Sequence, residues 1–250
     1  MKVESHAVIE TSNLSRIIFS EPILYTSPSK GEVKIMNHDK DSNILVVIMN
    51  MDVQHRDVAT FESERELVRV VSRLSWVHNL AIEKYRITGY QYSETANQTN
   101  AVVLATTLHI NASISVIKTV GRDGVEKLST TLSKNYTEEL DSLLSKWRDA
   151  IRQESSMIRL VLMYQILESL AGRVRSKVEK MIRDKDPHIE LRNTGIKNDQ
   201  VVSVYTYLRD CIHLKPENPQ FPFHEVEAHV IPMQELVRKV LKEKFTDLPE

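Results

Sequence analysis

The chain has 250 residues and only six glycines, where an average share of about 7% would give about three times as many, and only Gly121 and Gly124 fall close together, in VGRDGV. Neither a dinucleotide fingerprint nor a Walker loop can be built from them, which excludes a Rossmann oxidoreductase and a P-loop ATPase. Thirty-three Lys and Arg against 34 Asp and Glu leave a formal charge of −1, so neither a strongly basic nucleic-acid domain nor an acidic tail is present.

A chain of this length holds one large domain or two modest ones, and 41% hydrophobic residues is enough for folded cores. The longest apolar run, Ile44 to Met49, falls far short of the about 20 residues of a membrane-spanning helix. The start, MKVESHAVIETSN, has no apolar signal-peptide middle. The single cysteine, Cys211, excludes an intramolecular disulfide and a cysteine-based metal cluster. A soluble cytoplasmic protein without metal or cofactor is the expectation.

In chain order, Arg16 to Phe19, Ile23 to Tyr25, Val33 to Ile35 and the run 44–49 are short β-rich stretches divided by Pro22, SPSKG and NHDKDSN, which predicts strands of a small antiparallel sheet. From Thr60 the period changes. Leu67, Val70, Val71, Leu74, Val77, His78 and Ala81 recur at spacings of three and four, predicting an amphipathic helix with Thr60 as its cap and Glu62 and Glu64 in the first turn. Ile87 to Tyr92 reads as a strand, and Leu108, Ile110, Ala112, Ile114 and Val116 alternate as a half-buried strand ending at a GRDG turn, 121–124.

Helix formers dominate thereafter. One helix is expected from Tyr136 or Thr137 with Leu140, Leu143, Leu144 and Trp147 inward, and a second from Ser155 to about Arg183. Ile158, Val161, Leu162, Gln165, Ile166, Leu170 and Val174 mark the second helix's buried stripe. A break at 188–199 precedes a third helix, 199–213, and the Pro-rich 215–223 leads into a fourth from His224 to about Phe245. The predicted class is α+β: an N-terminal domain over 1–120, then a helical bundle of four to five helices over 125–250.

The pair with chemical potential is Arg209 and His213, four apart near the end of the third bundle helix. That spacing puts them about 40° apart around a helix. They combine a permanent phosphate binder with a group that moves a proton near neutral pH, which suits attack of a ribose 2′-hydroxyl on its own phosphate. An arginine and a histidine in a last helical turn also simply complement the dipole there. Glu168, in an apolar helix, needs a partner if buried, and Arg209 is a candidate. Tyr164, one turn earlier, is expected to pack in the core with its hydroxyl at the rim. Cys211 reads as a small buried packing residue.

Arg173, Arg175, Lys177, Lys180, Arg183 and Lys185 form a basic stretch. It is either a solvated helix end or a set of phosphate contacts for RNA, the first four being the candidates. In HEVEAH, 224–229, the histidines are five apart, about 140° around a helix, so they do not converge on zinc.

Two stretches carry a resemblance: MIRLVLMYQILE, 157–168, and YTYLRDCIH, 205–213. Over roughly 136–245 the chain resembles the HEPN superfamily, helical proteins of prokaryotic defence and toxin systems marked by an Arg, often followed by Asn or Asp, and then a His. It is most similar to methylamine-utilisation protein J-like and abortive-infection-type HEPN proteins. The resemblance implies an all-α bundle, a homodimer that brings two Arg209–His213 pairs into one cleft, and a metal-independent endoribonuclease supported by Asp210 and Glu168. It equally implies the alternative, a catalytically inactive interaction or ligand-binding module. The family spacing between Arg and His is longer, since only Asp210, Cys211 and Ile212 intervene here.

Overall fold

In the computed structural model, which describes residues 1–12, 15–28, 31–38, 43–93, 99–103, 116–193, 201–214, 222–246 and 248, the chain enters a strand at once. Along Lys2–Thr11 (β1), Val3, Ser5, Ala7, Ile9 and Thr11 are buried and their neighbours are not, the period of a strand with one covered face. The sequence reading missed this strand because Ser5 and Thr11 occupy buried positions and dilute the apolar pattern.

Ser15–Phe19 (β2), Ile23–Thr26 (β3), Glu32–Asn37 (β4) and Ile44–Asp52 (β5) follow, as predicted, and then helix Arg56–His78 (α1). Next come Ile82–Ser93 (β6), Thr99–Val103 (β7), Val116–Val120 (β8) and the helices Arg122–Ser133 (α2) and Glu138–Ile151 (α3). Six strands form one antiparallel sheet in the order β3-β4-β5-β1-β6-β7. β2 lies outside this sheet, against expectation, and pairs in parallel with β8, Ser15 opposite Val116 through Phe19 opposite Val120. Leu67, Val70, Val71 and Leu74 of α1 join Ala7, Ile9, Ile35, Val47 and Met49 of the sheet in one core.

Two local expectations are corrected, and a third lies outside the described residues. α1 begins after His55, so Thr60 lies inside the helix, its hydroxyl donating to the Arg56 carbonyl at 3.4 Å, and Asp57 rather than Glu62 or Glu64 is the first-turn acid. The GRDG segment starts a helix instead of closing a turn: Gly121 is its N-cap, and Val125, Leu128 and Leu132 supply the buried face. A Cβ on Gly124 would stand 2.7 Å from Val120 Cγ1, so any larger residue there has to displace that side chain. The alternating stretch Leu108 to Ile114 lies outside the described residues, and Val116 opens β8.

The chain divides into two units, Met1–Arg148 and Asp149–Glu250, rather than near 120–125. The reason is packing: α2 lies on β3 and β8, and Trp147 of α3 meets Trp76 of α1 edge to face at 4.9 Å. Arg73 binds the three helices together. It is 1% exposed, donates to the carbonyls of Thr131, Leu132 and Lys134 at 3.2, 2.7 and 2.8 Å, and reaches Asp141 at 3.2 Å. These carbonyls at the end of α2 lack partners within their own helix, and a cation there also answers the helix dipole. The Tyr136 ring covers the guanidinium at 4.3 Å.

The second unit contains Ser156–Leu170 (α4), Arg175–Lys185 (α5), Leu191–Asn193 (β9), Val201–Ser203 (β10), Val204–Leu214 (α6) and Phe223–Lys244 (α7). The expected single helix 155–183 is two helices, because Gly172 and Arg173 both take left-handed backbone, φ 64° and 61°. The buried face of α4 also differs: Leu160, Met163, Tyr164, Ile166 and Leu167 are inside, whereas Ile158 is 50% exposed and Gln165 is exposed. An α4 that is apolar on nearly all sides offers no stripe for periodicity to choose.

The third helix starts later than expected, at Val204, because Val201–Ser203 pairs as a strand with Leu191–Asn193. The second unit is therefore not all-α. Along α7, Val226, Val230, Met233, Val237, Val240 and Leu241 are buried as predicted. No helix among the described residues is long and apolar enough to cross a membrane.

Replacing Arg73 with Leu leaves the buried carbonyls at the end of α2 without their donor, while Asp141 keeps Arg69 at 3.7 Å, and is expected to cost about 3 kcal/mol in urea unfolding. His78, close to Phe19 at 6.2 Å, is held at a pKa of about 4, first by burial and then by Lys118. The unfolded chain takes up this proton first, near pH 6.5, so stability is full above that value. It falls by about 3 kcal/mol as pH drops to about 4, a slope that His78→Gln should remove in unfolding measured between pH 7 and 4.

Candidate functional site

The site begins at the start of α6. Ser203 ends β10 and caps the helix, its Oγ accepting from the Thr206 amide at 3.4 Å. Glu179, on α5 and 9% exposed, completes this cap from outside the helix. Its carboxylate accepts from the Ser203 amide at 2.9 Å, from Ser203 Oγ at 2.9 Å and from Thr206 Oγ1. Thr206 Oγ1 also meets the Tyr164 hydroxyl of α4 at 2.9 Å. A fully satisfied buried network of this kind fixes the rotation of α6 against α4 and α5.

That rotation sets what lies one turn on. Arg209 Nη2 donates to Glu168 Oε1 at 2.9 Å and Nη1 to Asp210 Oδ1 at 3.0 Å, with the guanidinium 5.4 Å from the centre of the Tyr164 ring. The other Asp210 oxygen accepts from Arg175 Nη2 at 2.7 Å. Arg175, Asp210, Arg209 and Glu168 thus alternate in sign across α5, α6 and α4. His213 is exposed, one helical turn beyond Arg209.

The structure therefore brings Arg209, Asp210, Glu168 and Arg175 together and leaves His213 at their solvent edge. Tyr164 departs from expectation: it is 2% exposed and its hydroxyl is inside the network rather than at the rim, with its pKa raised chiefly by burial. Cys211 is half-buried rather than packed in the core, and it shares a hydrogen bond with Tyr207 that is the main cause of that phenol's raised pKa.

The basic stretch does not form one band. Arg173 sits in the left-handed turn, Arg175 is bound by Asp210, Arg183 by Glu179 at 3.5 Å and Lys185 by Glu243, while Lys177 and Lys180 are exposed. At the start of α7, His229 Nδ1 lies 2.7 Å from the Glu225 carbonyl of its own helix, and Glu225 pairs with Arg192 at 3.3 Å. Among the described residues no group of three or more His, Cys, Asp or Glu is placed to hold a metal.

Glu179, Ser203 and Thr206 were missed by sequence reading. Ser203 and Thr206 carry a capping signal at the right spacing, hidden because Val201 and Val202 extend the apolar pattern backward into a strand. Nothing in the sequence marks Glu179 as their partner. Compared with protein-family models, curated proteins and solved structures, the chain gives no match.

Glu179→Ala leaves the Ser203 amide and two hydroxyls without their acceptor, and is expected to cost about 3 kcal/mol in thermal or urea unfolding. Glu179→Gln, which keeps one carbonyl acceptor, should lose less.

Proposed function

We propose that the helical unit is an HEPN-like half-site of a metal-independent endoribonuclease, working as a homodimer in a prokaryotic defence or stress system. One observation carries this reading: the Arg209 guanidinium is oriented by two carboxylates one helical turn before the exposed imidazole of His213. Cleavage of RNA by its own ribose needs a base for the 2′-hydroxyl proton and an acid for the departing 5′-oxygen. Each chain supplies one imidazole here, so His213 of one copy takes the proton and the protonated His213 of a second copy returns one. The bond from phosphorus to the 5′-oxygen breaks as the 2′-oxygen bonds to phosphorus, leaving a 2′,3′-cyclic phosphate.

Arg209 has more N–H donors than Glu168 and Asp210 occupy, and the remaining ones stabilise charge on the non-bridging oxygens. Arg173, exposed in the turn before α5, and Lys177, exposed in its first turn, contact flanking phosphates in this reading.

The second reading is an inactive interaction or ligand-binding module of the same fold. It is favoured by the neutrality of the cluster, in which Arg175 and Arg209 are balanced by Asp210 and Glu168. The deciding experiment incubates single-stranded and hairpin RNAs with the full chain, with and without EDTA. Chelator-independent cleavage leaving cyclic phosphate ends is expected, slowed about a hundredfold or more in His213→Ala and Arg209→Ala. Absence of cleavage, or cleavage that survives His213→Ala, overturns the catalytic reading and leaves the module.

A further inference from the structure

The cleft between α1 and α3 carries opposite charges on opposite walls. Arg65 and Arg69 stand one helical turn apart on α1, and Glu138 and Asp141 share the first turn of α3 across from them. Val68 and the hydroxyls of Ser72, Ser142 and Ser145 line the rest of a space of about 300 Å³, at the lower end of ordinary small-molecule sites. The two walls balance each other. The groups behind them, Glu66 under Arg69 and Arg73 under Asp141, balance as well.

Hydrogen bonding at the floor of this cleft is incomplete. The Arg69 side chain is 10% exposed and that of Asp141 30%, yet Nε of the one and Oδ2 of the other stand 3.7 Å apart, too far for a hydrogen bond. Arg69 is engaged only through Nη1, by Glu66, and the Asp141 carboxylate only through Oδ1, by Arg73. Among the described residues the Nε and Nη2 donors and the Oδ2 acceptor therefore have no hydrogen-bond partner, and exposed Arg65 and Glu138 have no ion pair. A simple anion at this floor meets Asp141, and a simple cation meets Arg69. A molecule with its carboxylate and ammonium close together satisfies both, and an α-amino acid carries the two on one carbon.

We propose that this cleft binds a free α-amino acid. Its carboxylate accepts from Arg69 and Arg65, its ammonium donates to Asp141 Oδ2 and Glu138, and a short polar side chain meets the serine hydroxyls. An ω-amino acid fits less well, because its charges lie several atoms apart and the two groups of the floor are 3.7 Å apart. The site belongs to the first unit and stands apart from the RNA-cleavage reading, which uses Arg209 and His213 of the second.

The test titrates the full chain calorimetrically with each proteinogenic amino acid, with serine's single-charge analogues ethanolamine and 3-hydroxypropanoate, and with 4-aminobutanoate. Serine or another short polar amino acid should bind, and the three other compounds should bind about tenfold or more weakly, each lacking one charged hydrogen-bonding end or holding it at the wrong distance. Arg65→Gln and Glu138→Gln, both surface changes whose folding is checked by circular dichroism, should each weaken binding by a similar factor of about ten. The proposal is overturned if no amino acid binds at up to about 10 mM, if any of the three other compounds binds as tightly as the best amino acid, or if either variant binds as wild type.

Discussion

The second unit depends on a carboxylate taken out of water. Burying a charge is unfavourable unless each lone pair finds a donor, and Glu179 finds three on Ser203 and Thr206. Because these donors start α6, the negative charge also lies at a helix N-terminus, where the dipole favours it. One side chain therefore ends a strand, begins a helix and, through Thr206 and Tyr164, sets that helix against α4. The position of Arg209 beside Glu168 follows from it.

The first unit solves the opposite end of the same problem. There Arg73, a buried cation, collects the carbonyls at the close of α2 and the carboxylate of Asp141. In both units a helix terminus is completed by a charged side chain from another element, so the element cannot form its proper end alone. Such ends couple local structure to packing, and this is why α2 was missed in the sequence and the start of α6 was read too early.

The candidate site is almost neutral, in keeping with the chain's net charge of −1. Arg175 and Arg209 alternate with Asp210 and Glu168, so orientation rather than a long-range field is what the cluster contributes. Between α5 and β10 the charges are balanced as well, Lys180 and Arg183 standing with Glu179 and Asp184.

By itself the sequence determined the α+β class, five of the strands, the register of α7's buried face, and the Arg209–His213 spacing with Glu168 as a candidate partner. Each of these rests on period or on a fixed helical offset, which are local properties. Tertiary structure decided the rest. The division after Arg148 came from Trp147 packing on Trp76, and the inward face of α4 came from its neighbours because the helix is apolar on nearly every side. The break at Gly172 and Arg173 turned α5 so that Glu179 could meet Ser203 and Arg175 could meet Asp210. Those partners lie 24 and 35 residues apart, beyond the reach of any local pattern, and only the folded chain brings them within hydrogen-bonding distance.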